Sequence, residues 1–116
     1  MRKITEEAVY AFMNKKHFVR SNTEVGFNPL TKRMEMRLHG NLIAWAYNDY
    51  QLHVDNCGWN SRTTVERLHN LILEWTNGLF GYAQRKGGKL IKYVRNESSI
   101  ERIESDWKNK MIFCRN

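Results

Sequence analysis

At 116 residues and 13.9 kDa, with 41% hydrophobic and 12% aromatic residues, the chain is long enough to bury a core without disulfide or metal staples. It is read as a single domain, 1–116. No apolar run is long enough to span a bilayer, and Met1-Arg2-Lys3 has no apolar segment behind it, so neither a membrane span nor export is expected. Without export, Cys57 and Cys114 are expected as free thiols. The net charge of +7 points to an acidic partner, although charge of this size also serves solubility alone. Residues 61–95 carry most of the excess, with seven Lys/Arg against two acids.

In chain order, the first expected element is a helix from Glu6 to about His17, capped by Thr5, with Ile4 and Val9 as a hydrophobic staple. From Asn22 the period changes from 3.6 to 2. Thr23, Val25 and Phe27 alternate, as do Met34, Met36 and Leu38 on either side of Asn28-Pro29, giving two antiparallel strands. His39-Gly40-Asn41 turns into Leu42 to Tyr47, which is apolar on both faces and belongs in the middle of a sheet or under a helix. Tyr50, Leu52 and Val54 carry a fourth strand inward. The run Asn56-Cys57-Gly58-Trp59 then forms a corner where Gly58 tolerates positive φ and Trp59 serves either as an anchor or as an exposed recognition ring. Thr63 and Glu66 form a T-x-x-E capping box for a second helix, from Thr64 to about Thr76. That helix places Val65, Leu68, Leu71, Ile72 and Trp75 on one stripe and is stopped by Asn77-Gly78.

Tyr82 to Arg85 and Lys89 to Val94 are expected as a hairpin around a two-residue Gly87-Gly88 turn. Ser98 and Glu101 then box a short helix with Ile100, Ile103 and Trp107 inward, and Met111 to Cys114 closes as an edge strand. The order is αββββαββαβ. The fold class is α+β, a mainly antiparallel sheet of meander plus hairpin packed by two main helices.

The hairpin is the binding candidate, comprising Tyr82, Arg85, Lys86, Lys89, Lys92, Tyr93 and Arg95. A two-residue turn pairs Tyr82 with Tyr93 and Lys86 with Lys89. Rings able to stack bases then stand beside cations able to neutralise phosphates. The alternative is a solubilised hairpin whose tyrosines pack on the core, and Arg85 and Lys92 fall on its other face. His53, Asp55 and Cys57 are metal-ligand types in one row of a strand, but they lack a fourth ligand at recognisable spacing. His53 with His69 and Asn70 forms only a loose ββα arrangement of the nuclease kind. No catalytic motif and no cofactor motif occurs, so neither a catalytic residue, a bound metal nor a cofactor is expected.

Three groups of segments carry a resemblance. They are Ala11-Phe12-Met13 with Asn22-Thr23-Glu24-Val25, then Leu38-His39-Gly40-Asn41-Leu42-Ile43-Ala44, then Asn56-Cys57-Gly58-Trp59. Over about residues 1–93 the chain resembles a widespread group of small, functionally uncharacterised bacteriophage proteins with A-F-M, N-T-E-V, L-H-G-N-x-I-A and N-A-G-W segments. Cys57 stands where that group usually has alanine, which counts against an essential thiol, and the resemblance implies that 95–116 is a C-terminal addition. The resemblance implies a phage protein acting in the host cytoplasm. The function expected is that of a non-enzymatic accessory protein, for host takeover or anti-defence, which binds a host or defence component, protein or nucleic acid, through a basic surface. Direct nucleic-acid binding and a small metal-dependent nuclease are the alternatives.

Overall fold

Alternating apolar residues in 23–55 need one buried face, and the apolar stripes of two amphipathic helices supply its cover. The computed structural model describes residues 2–59, 61–84, 90–95, 102–106 and 110–115, with backbone alone for 83–84, 90–95 and 102–106. The elements are α1 (Lys3–Met13), β1 (Phe18–Arg20), β2 (Thr23–Asn28), β3 (Arg33–Leu38), β4 (Asn41–Ala46), β5 (Gln51–Asp55), α2 (Arg62–Trp75), β6 (Phe80–Gln84), β7 (Leu90–Arg95), β8 (Arg102–Asp106) and β9 (Lys110–Cys114). The α+β class and the antiparallel meander stand as expected. A six-stranded sheet runs β1-β2-β3-β4-β5-β9, and a three-stranded sheet runs β6-β7-β8.

Val25, Met36, Ala44 and Val54 lie opposite one another across β2 to β5 and are fully buried. Ala8, Val9, Ala11 and Phe12 of α1 and Leu68, Leu71, Ile72 and Trp75 of α2 complete this core. Each fully buried large aliphatic or aromatic side chain contributes about 1.5–3 kcal/mol over its exposed state. A register shift between Met36 and Arg37 lets β4 bury both Ile43 and Ala44.

Several local expectations are corrected. Helix α1 ends at Met13, not His17, because Lys15 adopts φ 57°, Asn14 Nδ2 donates to the Tyr10 carbonyl, and the Lys16 N–H closes on the Ala11 carbonyl at 2.8 Å. The chain so released forms β1, a strand not anticipated. Thr5 lies inside α1 rather than capping it, since Arg2 occupies the cap and its carbonyl accepts from the Thr5 and Glu6 N–H groups. Helix α2 is capped by Ser61, whose Oγ accepts the Thr64 N–H at 3.2 Å, so the Thr63-Glu66 box does not form. Glu66 instead accepts from Thr5 Oγ1, from Arg2 Nε at 2.9 Å and from Arg67 Nη1 at 3.1 Å. Arg67 is 1% exposed and also donates to Thr5 Oγ1 and to Thr23 Oγ1, tying α1, α2 and β2 at one buried point. Residues 102–106 form β8 and not part of a helix: Ile103 pairs with Val94, so the ladder of β7 takes up their backbone groups. The expected Ser98-Glu101 box lies outside the described residues. Strand β9 is an edge strand, as expected, paired to β5 from Gln51↔Cys114 to Asp55↔Lys110.

Candidate functional site

In the hairpin the pairing is Tyr82↔Lys92 and Gln84↔Leu90. This is one residue away from the register that a two-residue turn requires, and it leaves 85–89 between the paired ends. Strand β7 is moreover the middle strand of its sheet, with Lys92 opposite Ser105, Tyr93 opposite Glu104 and Arg95 opposite Arg102 on its second side. Tyr82 is 1% exposed, so its ring is not presented for stacking. Its hydroxyl accepts from Asn56 Nδ2 at 3.3 Å, and its N–H donates to His69 Nδ1 at 3.1 Å. Burial pushes the phenol up, against the Asn56 hydrogen bond. Arg85, Lys86 and Lys89 lie outside the described residues.

The metal-ligand row is used locally. Asp55 Oδ1 accepts the Cys57 N–H at 2.8 Å, and the Cys57 thiol sits 3.3 Å from the Leu42 carbonyl. Burial pushes that thiol up, and Asp55 adds to the effect, which leaves it a poorer nucleophile than an ordinary cysteine. His69 contacts β6 beside α2, and Asn70 Nδ2 donates to the Glu66 carbonyl, whereas His53 stands on the sheet face away from the helices. The nuclease-like grouping of His53, His69 and Asn70 is therefore not assembled. Among the described residues no three His, Cys, Asp or Glu side chains group to hold a metal ion.

The face of the six-stranded sheet that α1 and α2 do not cover is the surface that sequence reasoning missed. Its central row runs Gly26, Glu35, Trp45, His53 and Ile112 across β2, β3, β4, β5 and β9. The Trp45 and His53 rings stack at 5.4 Å and 11°, and Tyr47 meets His53 edge-on at 6.1 Å. The Arg33 guanidinium lies over Trp45 at 5.3 Å and over Tyr47 at 5.8 Å. Glu35 holds it there through a 2.5 Å contact from Arg33 Nε, while accepting from Arg37, Asn28 and Thr31. Burial alone pushes the Glu35 carboxyl up, but the donors Arg33, Asn28 and Arg37 together outweigh it and hold it below the usual carboxylate range. Burial and the Arg33 charge push His53 down, so its ring is neutral at neutral pH. Tyr47 is 56% exposed and Ile112 54% exposed, so this row presents apolar surface to solvent.

Charge on this face is balanced. Among the described residues Arg37 lies opposite Glu24, Lys110 lies opposite Asp55, and Arg33 pairs with Glu35 along β3. Rings and an arginine locked before any partner arrives are the chemistry of a protein-binding hot spot. A phosphate-binding face needs a local positive excess instead.

Two further surfaces adjoin the sheet. Trp59 is half exposed beside a cleft of about 170 Å³ that includes His39, Ile43 and Thr64, so its ring is available as a recognition aromatic. At the other end of the strands, a cleft of about 100 Å³ lies among Phe12, Phe27, Met34, Tyr47, Trp75 and Arg115. Among the described residues no helix is long and apolar enough to cross a membrane.

The family model described as Kyanoviridae Gp96 protein matches residues 1–114, running past β5 and α2 to the end of β9. No curated protein and no solved structure matches the chain.

Proposed function

The chain belongs to the Kyanoviridae Gp96 protein family, a family of phage proteins, and we propose that it is a non-enzymatic accessory protein that binds a host or defence protein in the host cytoplasm. The observation that carries this reading is the uncovered sheet face, where Trp45, Tyr47, His53 and Arg33 form a preorganised and charge-balanced patch. Such a patch loses little side-chain freedom on binding, because Glu35 and the ring stack already hold it. The excess of basic residues elsewhere, including Lys86, Lys89, Lys92 and Arg95, would speed encounter with an acidic partner rather than form the contact itself. The groups that could serve catalysis support a binding role: Asp55 holds Cys57, His69 holds β6, and His53 is stacked on Trp45.

Direct nucleic-acid binding is the second reading, favoured by the net charge of +7. Capture from infected-host lysate, with and without nuclease, separates the two. A protein partner retained after nuclease treatment and lost with Ile112→Glu supports the first. Binding abolished by nuclease, with a steep loss of affinity as salt rises, overturns it in favour of the second.

A further inference from the structure

The cleft at the Phe27 end of the strands is lined by Phe12 and Met13 of α1, Phe27 and Met34 of the β2–β3 hairpin, and Trp75 of α2. Two cations stand on its rim. Lys15 is paired with Asp49 at 3.3 Å, whereas Arg115 has no carboxylate partner among the described residues. The Arg115 guanidinium lies over the Trp75 ring at 4.1 Å, with Nη2 3.9 Å from Met13 Sδ. Both residues are located by one carbonyl, since Tyr50 O accepts the Arg115 N–H at 2.7 Å and the Trp75 indole N–H at 3.3 Å. Asp49, which also lines the cleft, is taken by Lys15, so an arginine pinned over an apolar cleft with no carboxylate of its own among the described residues is a place for a carboxylate beside an apolar side chain.

We propose that this cleft takes one aliphatic side chain from an acidic peptide segment of the protein partner, with Arg115 pairing a carboxylate next to it. The inference rests on the protein-binding reading above and extends it, because Tyr47 both lines the cleft and stands on the uncovered sheet face. Size sets the anchor. About 100 Å³ of cleft takes one side chain of leucine or methionine size. Charge sets its surroundings, since Arg115, with no carboxylate partner among the described residues, and the chain's net charge of +7 favour acidic residues on either side.

The test uses the full chain, isotope-labelled for NMR, titrated with the acetylated pentapeptide Glu-Asp-Leu-Glu-Asp and with its central alanine analogue. Saturable shifts should appear at the Trp75 indole N–H and the Ala46 amide. The alanine peptide should bind about tenfold or more weakly, from the methylenes it no longer buries. Arg115→Gln, its fold checked by circular dichroism, should weaken the leucine peptide severalfold. No shift at the cleft, or equal affinity of the two peptides, or no effect of Arg115→Gln, overturns the inference. If nuclease-resistant capture persists and is lost with Ile112→Glu while the peptide is silent, only this inference falls. If capture fails as well, the protein-binding reading falls with it.

Discussion

Replacing Glu66 by alanine tests whether the Arg67 knot holds the helices to the sheet. The change removes the acceptor of Arg2, Thr5 and Arg67 at once. The Arg2 contact is half exposed and worth no more than a few tenths of a kcal/mol. Arg67 dominates: it is 1% exposed and would keep only the hydroxyls of Thr5 and Thr23 as acceptors. Removing one partner of a buried ion pair costs about 3–5 kcal/mol. Because Glu66 is 21% exposed, water can reach the vacated position, and the expected loss falls to about 2–3 kcal/mol. In thermal unfolding that is about 8–12 °C for a domain of this size. Arg67→Met added to Glu66→Ala should recover part of the loss, since it withdraws the stranded charge, while Thr23 Oγ1 keeps its bond to Asn22 Oδ1. A Glu66→Ala variant within about 0.5 kcal/mol of the parent, or a double variant less stable than the single, refutes the argument.

Three further outcomes are expected. Ser61→Ala should cost about 1 kcal/mol in urea unfolding through loss of the α2 cap, whereas Thr63→Ala should stay within about 0.5 kcal/mol. Stability should fall on acidification in two stretches, measured by denaturation across a pH series. The folded-state value of His53 is lowered, so its contribution is lost below about pH 6.5; those of Glu35 and Glu66 are also lowered, so theirs is present above about pH 4.3 and lost as pH falls through their folded values. His53→Phe should remove the upper stretch and Glu35→Gln should flatten the lower one. Gly58→Ala should cost about 1–2 kcal/mol although its Cβ would meet no atom, because Gly58 holds φ +78°.

The strands were legible where one face is buried. Met34, Met36 and Leu38 alternate because β3 faces the helices, and Leu42 to Tyr47 reads as central because β4 lies between β3 and β5. Elements decided by long-range partners were not legible. Glu66 matches a capping box, but Thr5, distant in sequence, claims it. Lys15 gives no glycine signal for the left-handed turn that ends α1. Ile100, Ile103 and Trp107 have helical spacing, yet Ile103 lies in a strand because β7 offers a ladder. The uncovered sheet face escaped the sequence for a related reason. The hairpin attracted notice through its composition, and Tyr82 proved to be core. Trp45 and His53 became neighbours only when β4 paired with β5, a contact no local pattern announces.

The position of β9 bears on how the protein is made. The partner of β5 lies beyond α2 and the whole β6-β7-β8 sheet, so a nascent chain that has already folded its first five strands still carries an open ladder at β5. Until residues 110–114 leave the ribosome, Gln51 to Asp55 can pair with any extended segment nearby, including β5 of a neighbouring nascent chain. Synthesis at high copy number would then favour tangled oligomers over the native sheet. A slower passage through the codons for residues 110–114 would prolong that exposure.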